Sequence, residues 1–120
     1  MKVVAQNRRI KFDYEILRTI EAGIMLTGPE VKSCRLGQIQ IRGAYVSFLS
    51  GKPILRGIEI APYVKAPNIQ GYDPKRERVL LLKKTDIEDL KETEETRGLT
   101  IVPFEVRAGR FIKILLAVVR

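Results

Sequence analysis

The chain has 120 residues, of which 22 are lysine or arginine, 14 are aspartate or glutamate and none is histidine, so its formal net charge is +8. The length fits one domain with one core, and the 45% content of hydrophobic residues argues against disorder. The lack of histidine removes the usual base of Ser-His-Asp and Cys-His catalysis and the commonest metal ligand. The single cysteine, Cys34, can form no internal disulfide and favours a reducing, cytoplasmic setting.

The surplus of positive charge indicates a polyanionic partner, because each lysine or arginine placed on a phosphate releases condensed counterions. Only residues 85–98 are acidic overall, with two basic and six acidic residues. The longest uninterrupted apolar run, Ile114 to Val119, is much shorter than a membrane span, so we expect neither a signal peptide nor a membrane partner. The charge therefore favours nucleic-acid binding.

The first half of the chain alternates between apolar and polar residues. From Ile10 to Leu26 the apolar residues keep mostly to even positions, which predicts a long extended segment with one buried face. The break in phase at Leu17 and Arg18, and the glycine Gly23, predict a bend or bulge. Residues 1–9 ahead of this segment are predicted to form a polar arm.

A short helix is predicted next. Thr27-Gly28-Pro29-Glu30 matches a capping box with proline in the first turn, and Gly37 is placed to end the helix. Val31 and Cys34, three residues apart, must pack on the sheet to hold it. Residues 44–49 and 53–61 then flank Ser50-Gly51-Lys52, which predicts a hairpin.

The region from Pro62 to Pro74 is predicted to be a loop because of its prolines and glycines. Asp73-Pro74 is able to open a short helix through residues 75–78, and residues 79–82 fit either the end of that helix or a buried strand. A second capping box, Thr85-Asp86-Ile87-Glu88, predicts a helix over residues 86–97.

The last part of the chain is predicted to form a second hairpin. Residues 99–106 and 111–119 flank Arg107-Ala108-Gly109-Arg110. About six strands with three short helices predict one mainly β domain over residues 1–120. An antiparallel sheet of that size closes best into a small β-barrel, because closure removes its exposed edges.

The acidic residues give little support to an enzyme. The largest group, six of the 14, lies on the helix predicted for residues 86–97, where they face water, while Glu21, Glu30 and Glu59 are scattered over strands and caps. Cys34 lacks the usual histidine base. We therefore predict no catalytic residue, no metal site and no cofactor.

Three basic clusters are candidates for phosphate binding. The first lies at the start of the long predicted strand, the second follows the predicted loop, and the third lies around the last predicted turn. They are Asn7, Arg8, Arg9 and Lys11; Lys75, Arg76 and Arg78; and Arg107, Arg110 and Lys113.

Two further features bear on base recognition. Glu21 falls on the outward phase beside Gly23, where its carboxylate is able either to accept hydrogen bonds from a base or ribose or to form a cross-strand salt bridge. Tyr63 and Tyr72, in the loop, are the better candidates for stacking on bases. Other aromatic residues fall largely on apolar phases and are predicted to lie in the core, namely Phe12, Tyr14, Phe104 and Phe111.

The ordered set of motifs resembles the small protein B family of SsrA-binding proteins over nearly the whole chain. The matching segments are Asn7 to Ile16, Glu21-Ala22-Gly23-Ile24, Leu26-Thr27-Gly28, Glu30-Val31-Lys32-Ser33, Arg35-Leu36-Gly37, Tyr45-Val46, Ile60-Ala61-Pro62-Tyr63, Asp73-Pro74 with Arg76 and Arg78, Leu80-Leu81-Leu82, and Gly98 to Pro103.

The resemblance implies a small antiparallel barrel related to the oligonucleotide-binding fold. It also implies a function without catalysis: binding the tRNA-like domain of transfer-messenger RNA and delivering it to stalled ribosomes in trans-translation, together with elongation factor Tu, which carries the aminoacylated RNA. By position, Asn7, Glu21, Leu81 and Lys113 match family residues tied to RNA recognition, as do the basic residues of the N-terminal arm.

The chain departs from the family pattern at several places. Cys34 stands where leucine is usual, Val79 where a basic residue is common, and residues 117–120 where a glycine-containing stretch is expected. The family also continues into a basic tail that enters the empty mRNA channel, whereas this sequence stops at Arg120. We accordingly expect RNA binding without support of tagging. The alternatives are a general tRNA or single-strand RNA-binding barrel and a metal-dependent RNA-processing enzyme.

Overall fold

The structure is a computed structural model that describes residues 1–65 and 71–120, so the middle of the predicted loop, residues 66–70, lies outside the described residues. The described residues form nine strands and three helices. The strands are β1 (Lys2–Gln6), β2 (Ile16–Ile24), β3 (Ile39–Gln40), β4 (Tyr45–Leu49), β5 (Lys52–Arg56), β6 (Glu59–Ile60), β7 (Arg78–Leu81), β8 (Thr100–Ala108) and β9 (Ile112–Val119). The helices are α1 (Ile10–Asp13), α2 (Gly28–Arg35) and α3 (Lys84–Glu95).

Seven of the strands form one antiparallel sheet in the order β1-β8-β9-β2-β7-β5-β4, and β3 and β6 pair separately. The predicted mainly β, antiparallel fold is confirmed, and three helices are found, although α1 takes the place of the helix predicted for residues 75–78. No hydrogen-bonded pairing joins β1 to β4 within the described part of the chain, so a closed barrel is not found. The strand count exceeds the predicted six because short strands form at β1, β3 and β6.

The predicted polar arm and the start of the long strand are corrected by the structure. Residues 2–6 pair with β8 as an edge strand, and α1 interrupts the predicted strand at its beginning. The Asn7 side-chain oxygen accepts a hydrogen bond from the Arg9 backbone N–H at 3.3 Å, which turns the chain into this single helical turn. The apolar alternation that begins at Ile10 therefore does not mark one continuous strand.

The predicted irregularity in β2 lies at Leu17. Ile16 pairs with Val119 and Arg18 with Val118, which leaves Leu17 as the extra residue of a bulge. Gly23 causes no break in the register. A Cβ atom added there would lie 3.2 Å from Leu81 Cβ, so the glycine permits close packing of the two strands.

Local signals account for α2 and for both hairpins. The Thr27 hydroxyl accepts from the Glu30 N–H at 3.3 Å, and a Glu30 carboxylate oxygen accepts from the Thr27 N–H at 3.0 Å, so the predicted capping box is confirmed. Cys34 is fully buried. Strands β4 and β5 meet at a turn in which both Ser50 and Gly51 have positive φ, and strands β8 and β9 form the second hairpin.

The helix predicted for residues 75–78 is wrong. The Asp73 carboxylate accepts from the Lys75 N–H at 2.9 Å, which makes a turn, and the chain then enters β7, where Arg78 pairs with Leu55. Helix α3 begins at Lys84 with no side-chain cap at Lys83, so the predicted capping box at Thr85 does not form. The predicted helix itself is confirmed and is anchored by the buried Leu90.

Two groups of apolar side chains lie on opposite sides of the sheet. The larger core fills the inner side, and a smaller cluster lies between α1 and the outer side, where Ile10 packs with Val102, Phe104, Ala117 and Val119. The core assignment of Phe104 is confirmed, whereas the other aromatic residues assigned to the core are exposed. Their relative exposures are 88% for Phe12, 43% for Tyr14 and 63% for Phe111.

Candidate nucleic-acid interface

The outer side of the sheet is covered by α1 over only part of its area. The buried residues Ala22, Ile24, Leu80, Val106 and Ile114 face the inner core, so their neighbours along each strand face outward. We call the uncovered outward group the open face. It consists of Glu21, Gly23, Leu81, Glu105, Arg107 and Lys113.

The register of the strands sets the order of these side chains. Arg107 on β8 pairs with Lys113 on β9, Lys113 pairs with Gly23 on β2, and Gly23 pairs with Leu81 on β7. One row across four strands therefore presents two cations, a gap without a side chain and an apolar residue that is 54% exposed. The neighbouring row runs from Glu105 through Leu115 to Glu21.

A polar network connects the open face to the N-terminal residues. Arg8 Nε donates to the Gln6 side-chain oxygen at 3.2 Å, and Gln6 Nε2 donates to Glu105 at 3.0 Å. The other Glu105 oxygen accepts from Arg107 Nε at 2.9 Å. Arg107 Nη1 lies 3.9 Å from a Glu21 oxygen, so Arg107 is shared between two carboxylates.

The sequence left two interpretations of Glu21 open, a cross-strand salt bridge and hydrogen bonding to a base or ribose, and both fit this geometry. The cross-strand salt bridge to Arg107 is present, but at 3.9 Å it is long, and the Glu21 side chain is 48% exposed. An exposed carboxylate retains capacity to accept further hydrogen bonds. The open face can therefore both attract phosphate and accept hydrogen bonds from bases or ribose hydroxyls.

The predicted N-terminal cluster lies beside this network. Arg8 and Arg9 are exposed and, with Asn7, line a cleft of about 410 Å³ that is also lined by Gln40 and Arg42. The described residues that line this cleft include three arginines and no carboxylate. Lys11 lies on α1, where its Nζ is 5.5 Å from the centre of the Phe104 ring. These residues form a basic border next to the open face.

The last turn brings the third cluster to the edge of the open face. The Arg35 guanidinium of α2 donates to the backbone carbonyls of Gly109 at 2.7 Å and Arg110 at 3.1 Å, which fixes the turn between β8 and β9. Arg110 and Lys113 follow in this turn and the strand after it. They form no salt bridge within the described ranges 1–65 and 71–120.

The cluster predicted around Arg78 is corrected. The Arg78 side chain is fully buried, its Nη2 lies 2.6 Å from Glu30, and its Nη1 donates to the backbone carbonyls of residues 74 and 76. A buried arginine cannot reach a phosphate at the surface, so Arg78 is a structural residue. Arg76 also pairs with Glu30, while the exposed Lys75 has its Nζ 4.0 Å from Glu59.

The buried cluster around Glu30 has perturbed acidities. Burial alone would raise the pKa of Glu30, but hydrogen bonds from the Thr27 backbone and from Arg78 and Arg76 outweigh it and lower the pKa to about 2. Burial and the Glu30 charge raise the pKa of Cys34 to about 12. The Tyr72 hydroxyl donates to the Ile60 carbonyl at 2.8 Å and has a raised pKa through burial.

The tyrosines predicted for stacking are differently placed. Tyr72 is half-buried, with its hydroxyl bonded inside the Glu30 cluster, and Tyr63 is half-buried with Lys32 Nζ 5.5 Å from its ring centre. Sequence reasoning missed Gln6, Glu105 and the exposure of Phe111. Ile112 and Ile114 are buried, so the alternation along β9, extended back by one residue into the turn, places Phe111 outward.

Two further observations bear on metal ions and membranes. Within residues 1–65 and 71–120, no group of three or more side chains of the metal-binding types lies close enough together to hold a metal ion. In the same residues, no helix has the length and apolar character needed to cross a membrane.

Comparisons with known proteins place the chain in a family. A protein-family model described as "SmpB protein" matches residues 4–120. The SsrA-binding protein of Synechococcus sp. (strain JA-3-3Ab) is 42% identical over 121 residues, which cover 100% of this chain and 79% of the relative. The SsrA-binding protein of Prochlorococcus marinus (strain MIT 9301) is 44% identical over 118 residues, which cover 98% of this chain and 72% of the relative.

A solved structure gives the same result for the fold. The structure described as "tmRNA-SmpB: a journey to the center of the bacterial ribosome" matches with a TM-score of 0.79 and 41% identity. The match covers 100% of this chain and 84% of that one. The family match, the relatives and the shared fold agree over essentially the whole sequence. This chain therefore belongs to the SmpB protein family.

Proposed function

We propose that this chain binds the tRNA-like domain of transfer-messenger RNA and delivers it to stalled ribosomes in trans-translation. Membership of the SmpB family, relatives named SsrA-binding proteins and a similar solved structure of tmRNA with SmpB at the bacterial ribosome support this function. The structural observation that carries it is the open face, where one cross-strand row combines Arg107, Lys113, Gly23 and Leu81.

Each part of the open face has a distinct task in this proposal. The cations attract phosphates, which gives affinity without selecting a sequence. Glu21 accepts hydrogen bonds from base or ribose donors, and Leu81 supplies an apolar surface for an unstacked base. The missing side chain at Gly23 lets an RNA group approach the sheet backbone between Lys113 and Leu81.

The basic border extends the same interface. Arg8, Arg9 and Lys11 are exposed and are proposed to hold the RNA backbone beside the open face, with Asn7 shaping the turn that presents them. Arg110 continues this border at the other end. Lys75 and Arg76 have a peripheral role in the proposal, because both lie near carboxylates.

The proposed fold is a small barrel related to the oligonucleotide-binding fold. Two contacts support it: β4 packs against β8, and β1 packs against β3, although neither pair forms a hydrogen-bonded ladder in the described residues. The larger core, which includes Ile41, Val46, Ile101 and Val106, lies inside this arrangement. The sheet would thus close through side-chain packing rather than through hydrogen bonds.

The proposed partners are the tRNA-like domain, the ribosome and elongation factor Tu carrying the aminoacylated RNA. Work at the ribosome favours a cytoplasmic location. The proposed role is placement of RNA without catalysis, since the open-face carboxylates are engaged by Arg107 and half of the other acidic residues lie along α3.

Binding of three RNAs at two salt concentrations tests the function. We expect transfer-messenger RNA to bind more tightly than ordinary tRNA and an unrelated hairpin, with the preference kept at higher salt. Equal affinities for all three would contradict the proposal and favour a general RNA-binding protein, because phosphate contacts do not select among folded RNAs. Magnesium-dependent cleavage lost in Glu21→Gln would instead favour a processing enzyme.

A further inference from the structure

Phe111 exposes an aromatic ring at the edge of the open face. It precedes β9, and its side chain is 63% exposed although the next residue, Ile112, is buried. Continuing the alternation of β9 places Phe111 on the same side as Lys113. A single exposed ring is common on protein surfaces, so the groups placed around Phe111 decide what it can bind.

Two cations flank this ring. The Arg110 guanidinium carbon lies 5.8 Å from the ring centre and the Lys113 Nζ lies 6.0 Å from it. Both distances are near the outer limit of cation–π attraction, about 6 Å, so neither cation is held tightly on the ring. Neither cation takes part in a salt bridge with another described residue.

The turn that carries the ring is fixed. Arg35 donates hydrogen bonds to the carbonyls of two consecutive residues, Gly109 at 2.7 Å and Arg110 at 3.1 Å. A ring on a fixed turn loses little conformational freedom when a ligand binds, which favours affinity.

We propose that Phe111 stacks on an unpaired nucleobase of the bound RNA, while Arg110 and Lys113 contact phosphates next to that nucleotide. The proposal rests on the proposed RNA-binding function and adds a specific residue to it. A nucleobase matches the site because it combines an aromatic face with flanking negative charge. An apolar protein segment would use the ring but would leave both cations without partners.

The chain offers a matched control. Phe12 on α1 is 88% exposed, so it has the same side chain and is even more open to solvent. It lies outside the turn and has no two cations placed around its ring among the contacts of the described residues. Phe111→Leu and Phe12→Leu each remove an exposed aromatic ring while keeping an apolar side chain.

Affinity for transfer-messenger RNA separates the two variants. Phe111→Leu is expected to weaken binding between about five-fold and about a hundred-fold, as expected for loss of stacking on one base. Phe111→Tyr should restore it, and Phe12→Leu should bind like the original chain. The salt dependence of the affinity should not change in Phe111→Leu, because no charge is lost.

Fluorescence provides a second readout that does not depend on affinity. The chain contains no tryptophan, so Phe111→Trp and Phe12→Trp each carry one indole. Stacking on a base should quench the emission of Phe111→Trp when transfer-messenger RNA is added, and Phe12→Trp should show at most a small change. Emission of Phe111→Trp that stays unchanged at saturating RNA would overturn the proposal.

The binding experiments distinguish an error in the stacking proposal from an error in the proposed function. If the original chain does not prefer transfer-messenger RNA, the proposed function is wrong. If it does and Phe111→Leu binds equally well, only the stacking role is wrong. A blunt RNA duplex without unpaired bases should bind both chains equally, and a loss of duplex binding in Phe111→Leu would contradict stacking on an unpaired base.

Discussion

Glu30 and Arg78 form an ion pair that is almost completely closed off from water, with Arg78 Nη2 2.6 Å from a Glu30 oxygen. The pair connects α2, which supplies Glu30, to β7, which supplies Arg78. Arg76 and the Tyr72 hydroxyl bond to the same carboxylate. Helix α2 is thus fixed to the sheet by charge in addition to the packing of Cys34 and Val31 in the core.

Removal of the Glu30 charge should strongly destabilise the fold. Glu30→Gln keeps the shape and the capping acceptor but leaves Arg78 buried without a counter-charge, which typically costs about 3–5 kcal/mol. The free energy of unfolding in urea measures this. Glu15→Gln is the control, because its pair with Arg120 is exposed and should contribute less than about 1 kcal/mol. Equal losses in the two variants would refute the buried-pair account.

The same carboxylate predicts a pH dependence of stability. The pKa of Glu30 is lowered from 4.5 to about 2 in the folded protein, so its contribution is fully present above pH 4.5 and is lost as the pH falls toward 2. The free energy of unfolding should therefore decrease over this interval in the original chain. Glu30→Gln should show a shallower decrease, and parallel pH profiles for the two chains would contradict this source of acid sensitivity.

The cysteine should be chemically inert in the folded protein. Cys34 is fully buried, and its pKa is raised to about 12, so almost no thiolate exists at neutral pH. Iodoacetamide should modify the native chain far more slowly than the chain in denaturant, as followed by mass spectrometry. Equal rates in the two conditions would show that α2 does not stay closed over the thiol.

Gly23 should matter more for RNA binding than for stability. Gly23→Ala places a Cβ atom 3.2 Å from Leu81 Cβ and fills the gap between Lys113 and Leu81. We expect RNA affinity to fall several-fold while the fold is retained. Gly28→Ala is the matched control, since its added Cβ meets nothing within 4 Å. Binding curves for both variants decide the matter, and unchanged affinity in Gly23→Ala would exclude close approach at the gap.

We expect the carboxylate of the interface to affect the preference among RNAs and the cations to affect the overall affinity. Glu21→Ala should reduce the preference for transfer-messenger RNA over ordinary tRNA, because an acceptor for base or ribose donors is lost. Arg8→Ala and Lys113→Ala should mainly weaken binding to all RNAs and lower the slope of log affinity against log salt by about 0.7–0.9 each. Similar changes in preference and slope for all three variants would contradict this division.

Some features encoded by neighbouring residues were predictable from the sequence, although the capping box at Thr85 and the helix over residues 75–78 were not found. The capping box of α2 and the Ser50-Gly51 turn depend on side chains and backbone angles within a few residues, and both are confirmed. The resemblance to a known family also led to the correct family. The burial of Arg78 was not predictable, because it depends on Glu30, which is 48 positions away in the sequence.

The outward-facing aromatic residues show a second limit of prediction from the sequence. Alternation predicts two faces of a strand but does not say which parts of the outer face another element covers. Helix α1 covers Phe104 and leaves Phe111 exposed on the same side of the sheet. The network from Arg8 to Glu21 likewise needs four strands in register, which one sequence does not reveal.

Helix α1 covers only the second half of β9, so the two halves of this strand differ in how far they are enclosed. Ala117 and Val119 are buried beneath α1 while Leu116 and Val118 are buried in the inner core, so the end of the strand is enclosed on both sides. The beginning of the strand, at Lys113, is enclosed on one side only. Amide protection in hydrogen exchange should therefore rise along β9. The protein would meet RNA with the end of the strand that opens more easily, while the other end keeps the sheet in place.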